Sequence, residues 1–159
     1  MVSLQGALAG GFIGTLVLTT GLRAATELRL TRIDLPFLLG TVFTADRTRA
    51  RALGYTLHFI FGLLFAVTYY LVFDAIDQAG WWLGGLFGVV HALFAGTALV
   101  NVLLPLVHPR MGTPFSAADS TPLLEPPGFL LRNYGASTAT VMLVTHTIYG
   151  AIVGAAAGA

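Results

Sequence analysis

Cysteine is absent from this 159-residue chain. That excludes disulfides, thiolate metal sites and thiol nucleophiles. Lysine is absent too, so all 8 cations are arginines, a choice without functional weight here. Charge is scarce: 9% of residues are charged, against about 25% in a soluble domain. The net charge of +1 gives no general bias toward nucleic acid or acidic partners. No basic segment precedes the first apolar run, which begins Met1-Val2-Ser3-Leu4. The run is therefore expected as a retained helix and not as a cleaved signal peptide. Three catalytic signatures are also missing: a phosphate loop ending in Gly-Lys-Ser/Thr, His-Glu-x-x-His, and a Gly-x-Ser-x-Gly elbow.

What is present is apolar sequence, 56% of the chain, gathered into long runs. They cover 4–22, continuing helically toward Leu28, then 52–73, 81–107 and 135–159. Each is close to or above the roughly 20 residues that cross a bilayer as a helix. Helices satisfy their own backbone in lipid, and the alternation of a membrane β-barrel is missing. The expectation is an all-α, four-transmembrane-helix bundle forming a single integral membrane domain over 1–159.

Arginine placement orients the bundle. Arg23, Arg29, Arg32, Arg47, Arg49 and Arg51 fall between the first and second runs, and Arg110 and Arg132 between the third and fourth. The connection Asp74 to Gly80 has two aspartates and no cation. The positive-inside rule puts both long loops in the cytoplasm and both termini outside. Tyr69, Tyr70, Trp81 and Trp82 flank the short turn as an interfacial aromatic belt would. In the first loop Asp34 suits a helix cap, Pro36 a first turn and Gly40 a stop. That segment and Pro126 to Leu131 read as short apolar stretches at the membrane surface. The stretch Thr113 to Pro127, rich in Pro, Ser and Thr, reads as irregular.

Two helix pairs echo each other. His58-Phe59-Ile60-Phe61-Gly62 parallels His146-Thr147-Ile148-Tyr149-Gly150, and Gly10 to Gly14 parallels Gly84 to Gly88. Two parallel helix–loop–helix repeats are one reading, and chance similarity between glycine-rich helices is the other. Small residues four apart permit close helix approach: Gly10 with Gly14, Gly84 with Gly88, Gly62 with Ala66, Gly150 with Gly154. His58 and His146 precede those glycines by four residues and are expected to face into the bundle.

His58, His91 and His146 are the ionisable side chains well inside the runs. An intramembrane ionisable group is a functional-site hypothesis by default. His146 lies 13 residues before the chain end and His58 lies 16 before Asp74, so the two share a depth. His91 is expected nearer the outer surface by roughly 6 to 9 Å and fits less well in one coordination sphere. Three readings stay open. His58 and His146 are axial ligands of a b-type haem, with Gly62 and Gly150 making room. Alternatively the histidines, with His91 as a third ligand, bind a transition metal such as zinc or copper. In the third they are structural and bond neighbouring helices, with Thr15, Thr19, Thr56, Thr145 and Asn101 as partners. Proton transfer stands open beside the metal reading, since imidazole titrates near neutrality. His108, at the end of the third run, reads as an interfacial residue. Glu27 and Asp34 read as ion-pairing or capping groups, and Ser116, Ser137, Asp119 and Glu125 as loop or helix-start residues without a catalytic partner.

Ile33-Asp34-Leu35-Pro36, His58-x-x-x-Gly62 and His146-x-x-x-Gly150 together resemble an uncharacterised family of small four-helix prokaryotic membrane proteins. The resemblance covers most of the chain. It implies a four-helix topology in a prokaryotic inner (plasma) membrane and brings no activity. The expected function is a non-catalytic accessory or structural subunit of a larger membrane complex. Its partners are the lipid bilayer and other membrane subunits or further copies of itself, with no nucleic acid. The alternatives are a haem- or metal-binding electron-transfer protein and a small transporter or proton channel.

Overall fold

A computed structural model describes residues 1–112 and 124–159, so Ser116, Asp119 and most of the Pro/Ser/Thr-rich stretch lie outside the described residues. Among the described residues the chain is all-helical, and no strand forms. Four helices of 24, 29, 27 and 20 residues are long and apolar enough to cross a membrane. They are α1 (Leu4–Glu27), α3 (Arg47–Ala75), a third long helix over Trp81–Val107, and α6 (Thr138–Ala157). The short α2 (Leu35–Gly40) lies between the first two.

Local chemistry sets the boundaries. Ser3 caps α1 by accepting from the Gly6 N–H at 3.0 Å. Asp34 caps α2 through the Phe37 N–H at 3.1 Å, with Pro36 in the first turn and the helix stopping at Gly40. Asp46 caps α3 through the Arg49 N–H at 2.7 Å. That cap starts α3 five residues before the apolar run, so Arg47, Arg49 and Arg51 ride on its first turns instead of in a loop. The third long helix is not uniform. It is α-helical over α4 (Trp81–Phe94), π-helical over Ala95–Leu103, and α-helical again over α5 (Leu104–Val107). The Asn101 amide holds the widened stretch by donating to the carbonyls of Gly96 at 3.0 Å and Thr97 at 3.1 Å. π turns of this kind are rare and often sit at functional sites.

α6 is the central helix, packed along α4 on one side and α1 on the other. Its contact with α4 is backbone on backbone. A Cβ at Gly84 or Gly150 would overlap the other residue's carbonyl oxygen, and one at Gly154 would overlap that of Gly80. Only glycine permits this approach. Gly10 and Gly14 meet α6 at Val153, Ala156 and Tyr149, whereas Gly11 meets Ala66 of α3. α3 packs mainly on α1 and α2. The Ser3 N–H donates to the Ala157 carbonyl at 2.8 Å, so both chain ends lie at the end of the bundle that carries the Ala75–Gly80 turn. The arginines gather at the opposite end.

At the arginine end α2 folds against α3: a Cβ on Gly40 or Gly54 would overlap the Ala50 or Pro36 carbonyl. Arg51 binds Asp34 through Nε at 3.1 Å and Nη2 at 2.9 Å. His108, just past the end of the third long helix, is buried within the protein, 5% exposed. Its Nε2 donates to the Leu38 carbonyl at 3.1 Å, and its Nδ1 accepts from the Arg110 N–H at 3.2 Å. With the Arg110 guanidinium donating to the Thr41 carbonyl at 2.6 Å, this ties the end of the third long helix to α2. Burial holds the His108 imidazole below its ordinary pKa, with the Leu38 carbonyl opposing that shift.

Candidate functional site

Each of the three inward histidines rides on a different helix: His58 on α3, His91 on α4 and His146 on α6. All three line one cavity of about 340 Å³. Its walls are otherwise almost wholly apolar, built mainly from the third long helix, with Leu18 of α1, Phe61 and Phe65 of α3, Met142 of α6, and Leu35 and Leu39 of α2. It lies between α3 and the third long helix and runs from the arginine end, at Leu39, Leu106 and Val107, to the histidines midway along the bundle. Its side wall is open: Phe61, Leu103, Leu106 and Val107 line it and are also exposed at the bundle surface.

Toward the other end the same two helices are closed by aromatic rings. Phe65 stacks on His91 with ring centroids 3.7 Å apart. Phe87 contacts Tyr69 at 5.4 Å and Phe73 at 5.2 Å, edge to face. The crevice is thus blind at the histidines.

His91 is where sequence reasoning and structure part. Its ring meets that of His146 edge to face at 4.8 Å, so the two share one level. The glycine contacts explain the register. Gly88 lies against the His146 carbonyl and Gly84 against that of Gly150, which carries His91 to His146 in the next turn. This register overrides the depth difference expected from residue counting; the end of α6 at Ala157, beside the start of α4, accounts for only about 3 Å of it.

Every one of these imidazoles is held through Nδ1. His58 Nδ1 lies 3.2 Å from Thr19 Oγ1, His91 Nδ1 lies 3.3 Å from the Tyr69 hydroxyl, and His146 Nδ1 donates to the Met142 carbonyl at 2.9 Å. Thr19 is a partner the sequence offered; Tyr69 and the Met142 carbonyl are not. The Tyr149 hydroxyl donates to the Gly62 carbonyl at 2.5 Å and so joins α6 to α3 beside the site. Gly62 and Gly150 both serve helix approach: Gly62 receives Thr15, and Gly150 receives Gly84.

No protein-family model, curated protein or solved structure matches this chain.

Part of the cavity wall comes from the segment that the sequence suggested as a short apolar stretch at the membrane surface. Phe129–Tyr134 forms a short 3₁₀ segment in which Leu130 and Leu131 hold left-handed backbones, φ 52° and 57°. A leucine pays roughly 1–2 kcal/mol for that conformation. It brings Leu131, 0% exposed, into the cavity wall and Leu130 against Gly96 of the π-helical stretch. Pro126-Pro127-Gly128 marks the turn in the sequence, with Gly128 at φ 73° starting it, but nothing there announces the left-handed leucines. Among the described residues, no three His, Asp or Glu side chains are grouped as a metal site.

Proposed function

We propose that this chain is a non-catalytic integral membrane protein, an accessory component that holds one small apolar ligand taken from the lipid phase. Its four long helices cross the bilayer with the arginine end in the cytoplasm and both termini outside. In that setting the side opening at Phe61, Leu103, Leu106 and Val107 faces the acyl chains of the inner leaflet. The observation that carries the reading is the meeting of three imidazoles, from three helices, on one apolar crevice open to the bundle surface. Ligand sites have this composition: apolar walls and a few convergent polar groups, in volumes of about 300–1,000 Å³. At about 340 Å³ the crevice suits a small ligand.

A b-type haem between His58 and His146 is less well supported. The cavity lining holds no cation to receive propionates, and His91 packs directly on His146. An ion path is less well supported too, since the described residues of the lining include no carboxylate.

The test is native purification in lipid nanodiscs, organic extraction, and mass spectrometry against empty discs from the same membranes. One lipid-phase compound is expected near one equivalent, and Ala95→Phe, which fills the crevice from α4's π-helical continuation, is expected to lose it. Equal extracts from full and empty discs would sink the reading. An absorption spectrum of the same sample decides the haem alternative.

A further inference from the structure

The hydrogen bonds around the crevice fix what kind of polar group it can receive. The Thr19 hydroxyl has one proton, and it donates that proton to the Thr15 carbonyl at 2.6 Å. Thr19 can then only accept from His58 Nδ1, 3.2 Å away, so Nδ1 carries the His58 proton. At His146 the partner is the Met142 carbonyl, which can only accept, so Nδ1 carries the proton there as well. A neutral imidazole with Nδ1–H has a bare lone pair at Nε2. No hydrogen bond among the described residues engages Nε2 of either ring, and no buried side-chain nitrogen or oxygen among them lacks a partner. An unbonded Nε2 on a cavity-lining ring is therefore one that faces open space.

The hydroxyls lining the crevice point the same way. Thr15 donates to the Gly11 carbonyl at 2.7 Å, and Tyr149 donates to the Gly62 carbonyl. Both turn oxygen lone pairs, not protons, toward any occupant. His91 is the one lining imidazole whose tautomer is free, because either atom of its bond to Tyr69 can donate. The blind end of the crevice is thus rich in acceptors and poor in donors.

We infer that the crevice ligand is a lipophilic molecule bearing a hydroxyl group, phenolic or alcoholic, which donates to Nε2 of His58 or His146 while its apolar body lies along Leu99, Leu103 and Phe61. This rests on the crevice being a ligand site. A ketone, ester or ether of the same shape meets lone pairs at both fixed histidines and leaves them unsatisfied, the situation in which a site rejects an analogue most strongly.

The probes are para-nonylphenol and its methyl ether, para-nonylanisole, which differ only in the donor. Their partition into protein-bearing nanodiscs is compared with empty discs. The phenol is expected to bind at least about tenfold more tightly, the value of one net hydrogen bond. In a His58→Phe, His146→Phe double variant that preference is expected to vanish while both compounds still bind. Equal binding of the two probes to the wild type overturns the hydroxyl inference and leaves the crevice reading intact. Binding of neither above empty discs overturns both. Nitrogen-15 shifts of the histidine rings need no variant: two Nδ1–H rings support the inference, and an Nε2–H ring at His58 or His146 overturns it.

Discussion

α3 and the third long helix meet through side chains at one end of the bundle and flank a cavity at the other, and the two halves are unlike. At the end with the short turn, Phe65, Tyr69 and Phe73 interlock with His91 and Phe87, and glycine contacts weld α4 to α6 behind them. At the arginine end the same helices stand apart around a cavity, and the third helix widens into a π-helical stretch there. One half is held by rings and backbone contact. The other is held at its rim, by the His108–Arg110 clamp, the Asp34–Arg51 pair and the Leu131 plug. Rigidity in one half lets the other keep an opening without collapse.

That contrast can be broken most severely from the closed half. Gly150→Leu drives a side chain into the Gly84 carbonyl, and two backbones cannot yield as a side chain can. The expected result is loss of monodisperse protein on size-exclusion chromatography in detergent, beyond the about 1–3 kcal/mol of ordinary overpacking. Next is the plug. Leu131→Ala removes a fully buried side chain and enlarges the crevice, with an expected loss of about 2 kcal/mol in a denaturant titration. Tyr149→Phe deletes the bond that crosses from α6 to α3 and is expected to cost about 1 kcal/mol by the same measurement.

The rim of the open half has its own pH signature. His108 is depressed by burial below 6.5, so the folded ring stays neutral where the unfolded one takes a proton. Stability is therefore full above about 6.5 and falls as pH drops toward the depressed value. Thermal melts from neutral to mildly acidic pH are expected to show this, and His108→Gln to flatten it. The smallest effect belongs to the open side wall. Leu103→Ala, at a residue 47% exposed, is expected to change stability by less than about 0.5 kcal/mol. A large loss there would mean the opening is a packed seam and the contrast is wrong.

The helices of the closed half were legible in the sequence, but not its interior, where Tyr69 is 3% exposed, bonded to His91 and no belt residue at the surface. Continuous apolar runs announce long helices, and glycines four apart announce where helices touch. The α2 cap was legible as well, because Asp34, Pro36 and Gly40 each act on their own backbone. The open half was not. Its cavity depends on where side chains fail to meet, which no local pattern encodes. The level of His91 depends on the register of α4 against α6, set by interlocking glycines and not by distance from a helix end. The π-helical stretch depends on Asn101 turning back to Gly96 and Thr97, and composition alone does not distinguish that from an ordinary helix. Gly10 and Gly14 read as a small-residue pair, but only the structure assigns them to α6.

The central place of α6 has a consequence for how the protein is made. The chain emerges in order, and α1, α3 and α4 are all synthesised before the helix that α1 and α4 chiefly pack against. Until Thr138–Ala157 arrives, α4 has no partner for its glycine stripe and the crevice has neither His146 nor Tyr149. Assembly of the bundle therefore waits on α6, and a nascent chain stalled before it holds three long helices and an unfinished crevice.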